Sequence, residues 1–283
     1  MKIAYHTFAF GGRSWLPSWT MEETIRLTSE LGFDGLELGA VRPHGFPDDL
    51  SFEQRKQLLK YAQKKKVEFA AICPISTNFN IASPIECERN ATKKYIIDCI
   101  HLAQDLDCAI IRVDGGWSVK PFLAIDGWSW ATEGLSAVAK EAEKNGVSLV
   151  LEPVNSQRSD IVTSSHGMEK MIQNIGSVAL KPMIDLYHLH MENENPVEVI
   201  NRLGSKLAHI HFLDARKVDR ARLIPGKGEL DLITIMDALT RVGYDHWLSF
   251  EFWGNDPIAP GRQAVDYFHS YQAKRKQFQG SYV

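Results

Sequence analysis

Four short apolar segments of this 283-residue chain carry side chains able to bind a cation or move a proton. VSLVLEPVN carries Glu152, KPMIDLYHLH carries Asp185 with His188 three residues on, LAHIHFLD carries His211, and HWLSFEFW carries Glu251. Each segment reads as a strand whose ionisable group stands at its C-terminal end. Three carboxylates and one imidazole form a hard, mostly oxygen donor set. It suits Mn²⁺ or Mg²⁺, suits Zn²⁺ less well, and differs in kind from a cysteine-rich structural zinc site. Three carboxylates aimed into one pocket would repel one another and shift their pKa values, a conflict that a bound cation removes. Singly, a strand-end glutamate is usually half of a salt bridge and a lone strand histidine a hydrogen-bonded core residue. Four in succession at one height point instead to a metal centre of Glu152, Asp185, His211 and Glu251. His209 shares the parity of His211 one layer lower and is expected to pack beneath it.

The elements that must position these groups can be read from the same pattern. Residues 206–231, KLAHIHFLDARKVDRARLIPGKGELD, begin as a strand with apolar residues on both faces, as in a parallel sheet covered on both sides. Polar residues then collect at its end, and a short basic loop leads to Arg222, the turn Pro225-Gly226-Lys227-Gly228 and a helix. Strand-like segments recur near residues 2–8, 35–38, 67–72, 109–113, 147–151, 182–184, 207–212 and 247–252. Helical patterns lie between them. Thr20 with Glu23 and Ser51 with Gln54 form capping boxes, Ser83-Pro84-x-Glu86 opens a long helix, and Asn195-Pro196 opens another that Gly204 stops. Strict alternation with no linker predicts an α/β protein, a single (β/α)8 TIM barrel domain over 1–283. A doubly wound sheet usually carries a glycine-rich phosphate loop after its first strand, and Gly11-Gly12 does not fit that pattern. In a barrel, catalytic groups gather at the C-terminal strand ends, where these four stand.

Composition restricts the partners. With 44% hydrophobic residues the chain can build one large core, and 32 Lys+Arg against 35 Asp+Glu give a net charge of −3. Such a balance gives no reason to seek nucleic acid or an anionic membrane. The four cysteines lack CxxC spacing and read as reduced thiols. The chain enters a strand at once, so no signal peptide is expected, and it has no apolar run long enough to span a bilayer. A cytoplasmic location is therefore expected.

The motifs LEPVN, IDLYH, HIHFLD, R-x-x-PGKGELD and FEFW stand in the order found in the xylose-isomerase-like sugar isomerase/epimerase superfamily. Their pattern resembles the D-tagatose and D-allulose (psicose) 3-epimerases, and RPHGFPDDL resembles fructoselysine 3-epimerase. The resemblance implies that Glu152, Asp185, His211 and Glu251 hold a divalent cation, usually Mn²⁺, with Mg²⁺ or Co²⁺ as alternatives. It implies that Glu152 and Glu251 exchange the substrate proton, and that His188 and Arg222 contact sugar oxygens near the carbonyl. Dimers or tetramers are implied as well. The chemistry agrees: taking a proton from beside a ketone needs a Lewis acid on the carbonyl, and returning it to the other face needs a second acid/base group. The expected activity is that of a ketose 3-epimerase, an isomerase acting on a small sugar through a metal-stabilised cis-enediolate. Rivals on the same scaffold are a 1,2-isomerase of hydroxypyruvate type and an inosose-type dehydratase. An endonuclease IV-like nuclease is more remote, because it resembles a histidine-rich trinuclear site beside a basic groove. A silent binding barrel is opposed by the intact acid pair.

One position departs from the resembled pattern. Six residues after the first metal glutamate that family commonly has a second glutamate, and here the residue is Arg158. Arg158 either recognises an anionic group such as phosphate or carboxylate, or pairs with Asp160 or another loop acid. Further pocket candidates are His6 at the end of the first strand, Trp117 in DGGW, and Trp15 and Trp253 on top loops. Trp128 and Trp130 read as packing residues, and His44 and Phe46 lie on a loop able to cover the pocket. Glu37 and Arg112 share inward parity and read as members of interior ion pairs.

Overall fold

The computed structural model describes residues 1–11, 19–75, 79–254 and 256–280, so Gly12 and Trp15 lie outside the described residues. Eight parallel strands close into a barrel: β1 (Lys2–His6), β2 (Gly35–Gly39), β3 (Glu68–Cys73), β4 (Ile110–Asp114), β5 (Ser148–Glu152), β6 (Leu180–Asp185), β7 (His209–His211) and β10 (Trp247–Phe250). β10 pairs with β1 to complete the ring. Around it run α1 (Met21–Leu31), α2 (Phe52–Lys65), α3 (Glu86–Asp105), α4 (Ala124–Lys144), α5 (Ser165–Ile175), α6 (Leu186–Met191), α7 (Pro196–Leu203), α8 (Leu232–Arg241) and α9 (Ile258–Gly280). The expected (β/α)8 barrel is therefore present. Its strands are apolar on both faces because helices cover the outside while side chains fill the inside, burying Ile3, Leu36, Ile111, Leu149, Ile184, Ile210 and Leu248.

The helix signals act as the sequence implied. Thr20 and Ser51 close capping boxes with Glu23 and Gln54, and Gly32 ends α1 in the left-handed region at φ 93°. Several boundaries differ. β1 stops at His6, and residues Thr7–Phe10 form a 3-10 turn. α3 starts at Glu86 rather than at Ser83, whose hydroxyl accepts from Ile85 N and donates to Glu88. His188 lies not on a loop but on α6, a single capped turn and a half. The basic loop after β7 is an antiparallel hairpin, β8 (Asp214–Arg216) with β9 (Ala221–Leu223), and Arg222 sits within it opposite Ala215. The eighth barrel strand ends at Phe250, so Glu251 stands just beyond it. The four cysteines are free, and no helix among the described residues is long and apolar enough to cross a membrane.

Register sets the height of the ionisable groups. Asp185 lies opposite His211, His211 opposite Ser249, and Asp114 opposite Glu152. Glu251 follows Ser249 by two residues and so shares its inward parity.

Candidate functional site

At the top of the barrel Glu152, Asp185, His211 and Glu251 converge, all buried. His211 Nδ1 lies 3.0 Å from Glu152 Oε1, 3.1 Å from Glu251 Oε2 and 3.5 Å from Asp185 Oδ2. Three of these atoms, Glu152 Oε1, Asp185 Oδ2 and His211 Nδ1, are buried without a hydrogen-bond partner. The other side of the imidazole explains why. His211 Nε2 is 3.0 Å from Glu37 Oε1, and His209 Nε2 is 2.8 Å from Glu37 Oε2. Glu37 is fully buried, which favours its neutral form, yet His211 and His209 hold its carboxyl well below the usual range. An ionised Glu37 accepts the Nε2 proton of His211, leaving the Nδ1 lone pair facing three carboxylates. Such an arrangement of acceptors calls for a positive charge at their centre, either a proton on Nδ1 or a cation. The protein groups alone push the His211 pKa well above its ordinary value despite burial, through Glu37, Glu251 and Glu152.

Each carboxylate is also held by a donor of the protein, Glu152 and Asp185 through the oxygen turned away from His211 and Glu251 through Oε2, the one that faces it. The Arg112 guanidinium grips Glu152 Oε2 through Nε at 2.6 Å and through Nη2, while its Nη1 reaches Asp114 Oδ2 at 2.6 Å. Arg112 and Glu37 thus each take part in interior ion pairs, but with other partners and not with one another. Asp185 Oδ1 accepts from the backbone N of His188, capping α6. Arg222 Nη1 donates to Glu251 Oε2 at 2.6 Å and lies 2.9 Å from Asp185 Oδ2, outside hydrogen-bond angles. Its guanidinium stacks over Tyr187, 4.5 Å from the ring centre. Burial opposes ionisation of Glu152, Asp185 and Glu251, and the neighbouring guanidinium and imidazole groups override it, so all three carboxyls stay below the usual range.

His188 is locked in one tautomer. The backbone N–H of Asn155 can only donate, and it points at His188 Nδ1 at 3.2 Å, so Nδ1 is an acceptor and Nε2 carries the proton. Burial lowers the His188 pKa and keeps the ring neutral. Nε2 lies 3.2 Å from Arg222 Nη2, which places two donors side by side.

Arg112, Glu152, His188, His211, Arg222 and Glu251 line a pocket together with Phe8, Cys73, Ile75, Arg158 and Trp253. His6 does not reach its wall. It is fully buried under Phe8, with ring centres 4.1 Å apart, and burial depresses its pKa to about 4. His6, Glu37 and His211 form a second close trio of donor atoms, although Glu37 is already occupied by two imidazoles. Trp117 and Arg158 line a neighbouring cavity. Asp160 takes the N–H and hydroxyl of Ser118 instead of pairing with Arg158. Trp253 packs 4.9 Å from Phe8. His44 and Phe46 pack inward, Phe46 against Tyr95 at 5.7 Å, and line neither cavity. Trp128 and Trp130 meet Lys170 and Arg89. The sequence had no local signal for the roles of Glu37, Arg112 and Asn155, because His209 and His211, Glu152 and His188, which give them those roles, stand far along the chain.

The chain also matches known proteins in sequence and in fold. The family described as Xylose isomerase-like TIM barrel matches residues 25–271. Fructoselysine 3-epimerase of Escherichia coli O157:H7 is 26% identical over 260 residues, covering 88% of this chain and 93% of that protein. L-ribulose 3-epimerase of Mesorhizobium japonicum is 31% identical over 261 residues, covering 91% of this chain and 83% of that protein. Among solved structures, a D-tagatose 3-epimerase-like protein superimposes with a TM-score of 0.85 at 22% identity, over 98% of this chain and 99% of the other. At that identity the superposition speaks for the fold alone.

Proposed function

We propose, starting from the fact that this chain belongs to the xylose isomerase-like TIM barrel family, that it is a divalent-metal ketose 3-epimerase. The observation that carries this reading is the convergence of unpartnered buried atoms of Glu152, Asp185 and His211, with Glu251 Oε2 3.1 Å from His211 Nδ1. That donor set fits a hard divalent ion such as Mn²⁺, Mg²⁺ or Co²⁺, held by Glu152, Asp185, His211 and Glu251. When bound, the ion would supply the positive charge that polarises a ketose carbonyl and the hydroxyl beside it.

The protein's own groups divide the remaining work. Glu152 and Glu251 come from β5 and from the end of β10, and β6 and β7 separate those strands in the ring. They can flank a sugar, one taking the C3 proton and the other returning one to the opposite side, each step worth roughly 10²–10⁴-fold. The Arg112 grip holds Glu152 Oε2 and leaves Oε1 turned toward the pocket. His188 Nε2–H and the Arg222 guanidinium are two donors aimed into the cavity, placed to bind the oxygen on which negative charge develops. Phe8, Ile75 and Trp253 supply apolar wall that keeps water from the reacting carbons.

The test is incubation with ketoses, ketose phosphates and fructosamines in D₂O with added Mn²⁺, with products identified by NMR. The expected product is the C3 epimer carrying deuterium at C3, with turnover abolished by EDTA and restored by metal. Deuterium at another carbon with an aldose product would establish a 1,2-isomerase instead, and loss of water a dehydratase.

A further inference from the structure

We propose that the cavity beside the metal pocket is a distal substrate subsite and that Arg158 there binds an anionic group, phosphate or carboxylate, carried by the ketose. The proposal rests on the epimerase reading and deepens it by naming the substrate class. The pocket of the proposed metal site and its larger neighbour share Arg112 and Arg158 in their walls, and the neighbour is completed by Asp114, Gly116, Trp117, Val154 and Ser159. A substrate whose carbonyl end lies among Glu152, His188 and Arg222 can therefore extend past Arg158 into a larger space.

The walls of that space are built rather than left to chance. Asn80 accepts from Trp117 N and donates to Trp117 O, at 3.1 and 2.8 Å, and Ser159 Oγ donates to Gly116 O at 2.6 Å. Ser118 N donates to Asp160 Oδ1 at 2.8 Å, and Gly116 N donates to Asp114 Oδ1 at 2.9 Å. Segments following β3, β4 and β5 are thus stitched into one surface. Gly116, at φ +70°, is required: a Cβ there would fall 2.4 Å from Asn80 Oδ1.

The charges on that surface do not cancel. Asp114 is the one acid in the lining, and Arg112 and Gly116 N already hold it. Arg112 is itself shared between Asp114 and Glu152. Arg158 alone is left over. Among the described residues its guanidinium has no ion pair and no hydrogen bond, and the nearby acid Asp160 is engaged by Ser118. An exposed arginine is ordinary on a surface. One that borders both a reaction pocket and its extension and lacks a counter-charge is placed to receive an anion from the substrate through charge-assisted hydrogen bonds.

The experiment compares wild type with Arg158→Gln and Arg158→Lys, metal-loaded, on D-fructose, its 1- and 6-phosphates, fructosyl-glycine and the amide of fructosyl-glycine. The expected result is that Arg158→Gln loses about 10–100-fold more kcat/KM on an anionic ketose than on its neutral counterpart, chiefly through KM, with partial recovery in Arg158→Lys. The anion showing the larger difference distinguishes phosphate from carboxylate. Equal losses on charged and neutral ketoses would overturn the proposal, as would a wild type that favours the neutral ones. Failure to turn over any ketose would instead remove the epimerase reading. Calorimetry with the matching reduced polyols, which lack a carbonyl and cannot react, would still decide on Arg158. Tighter binding of the anionic polyol to wild type but not to Arg158→Gln supports the subsite, and equal affinities refute it.

Discussion

A carboxylate as deeply enclosed as Glu37 survives ionised only with partners, and its partners make it an organiser of the proposed metal centre. Its two oxygens accept one N–H each from His209 and His211 at 2.8 and 3.0 Å. This fixes the His211 tautomer and aims the Nδ1 lone pair at the proposed cation position, the arrangement by which a carboxylate behind a ligating imidazole raises its basicity. Glu37→Gln keeps the size but has only one acceptor oxygen, so its NH₂ must face an imidazole N–H. The expected outcome is a metal affinity about 10–100-fold weaker, measured by titration against a competing chelator. Wild-type affinity in a variant with unaltered far-ultraviolet dichroism would show that Glu37 is only a core residue. The two proposed acid/base groups are held differently. Arg112 holds Glu152 from a strand, whereas Arg222 holds Glu251 from a hairpin outside the barrel.

That hairpin is the element on which the donor side of the pocket depends, and Asp214 is what shapes it. Its carboxylate accepts from Gly226 N and Gly228 N at 3.0 and 2.8 Å through Oδ2, and from Ala215 N and Leu230 N at 2.8 and 3.1 Å through Oδ1. Gly228 must be glycine, because a Cβ would meet Asp214 Oδ1 at 2.2 Å. Asp214→Ala strands several of these donors at once. Stability should fall by at least the roughly 1–3 kcal/mol that one unsatisfied buried donor costs, and KM should rise as Arg222 loosens. Denaturant melts and steady-state kinetics measure both effects, and a stability loss with unchanged KM would separate the hairpin from substrate binding. The PGKG turn was visible in the sequence, but the hairpin was not, since three-residue strands carry no readable alternation. α6 escaped for the same reason: six residues cannot display a helical period. Longer elements with caps, such as α1 and α2, announced themselves, and so did the convergence of Glu152, Asp185, His211 and Glu251, because parity within one strand is local. What Glu37 and Arg112 pair with was not legible. His209 and His211 follow Glu37 by 172 and 174 residues, and only closure of the ring brings them together.

Closing the ring also concentrates titratable groups in one dry interior, so the stability of the whole molecule must vary with pH in a defined way. Burial holds His6 and His44 at a pKa of about 4 against 6.5 for the free side chain. Between pH 6.5 and about 4 the unfolded chain therefore binds protons that the folded chain refuses. Each of these histidines then costs about 1.4 kcal/mol of stability per unit of falling pH. His188, also lowered by burial, acts in the same direction. His211 has the opposite sign. Burial opposes its protonation, yet its carboxylate neighbours raise its pKa well above 6.5, so its contribution is complete below pH 6.5 and is lost as pH rises above that value. In metal-free protein the two limbs meet, and stability should peak near pH 6.5. A divalent ion at His211 Nδ1 replaces the proton there, so Mn²⁺ should flatten the limb between pH 6.5 and 8 while leaving the acidic limb from His6 and His44 in place. Urea midpoints measured from pH 5 to 8, with EDTA and with Mn²⁺, give both slopes. An alkaline limb equally steep with and without metal would mean that the ion does not sit on His211.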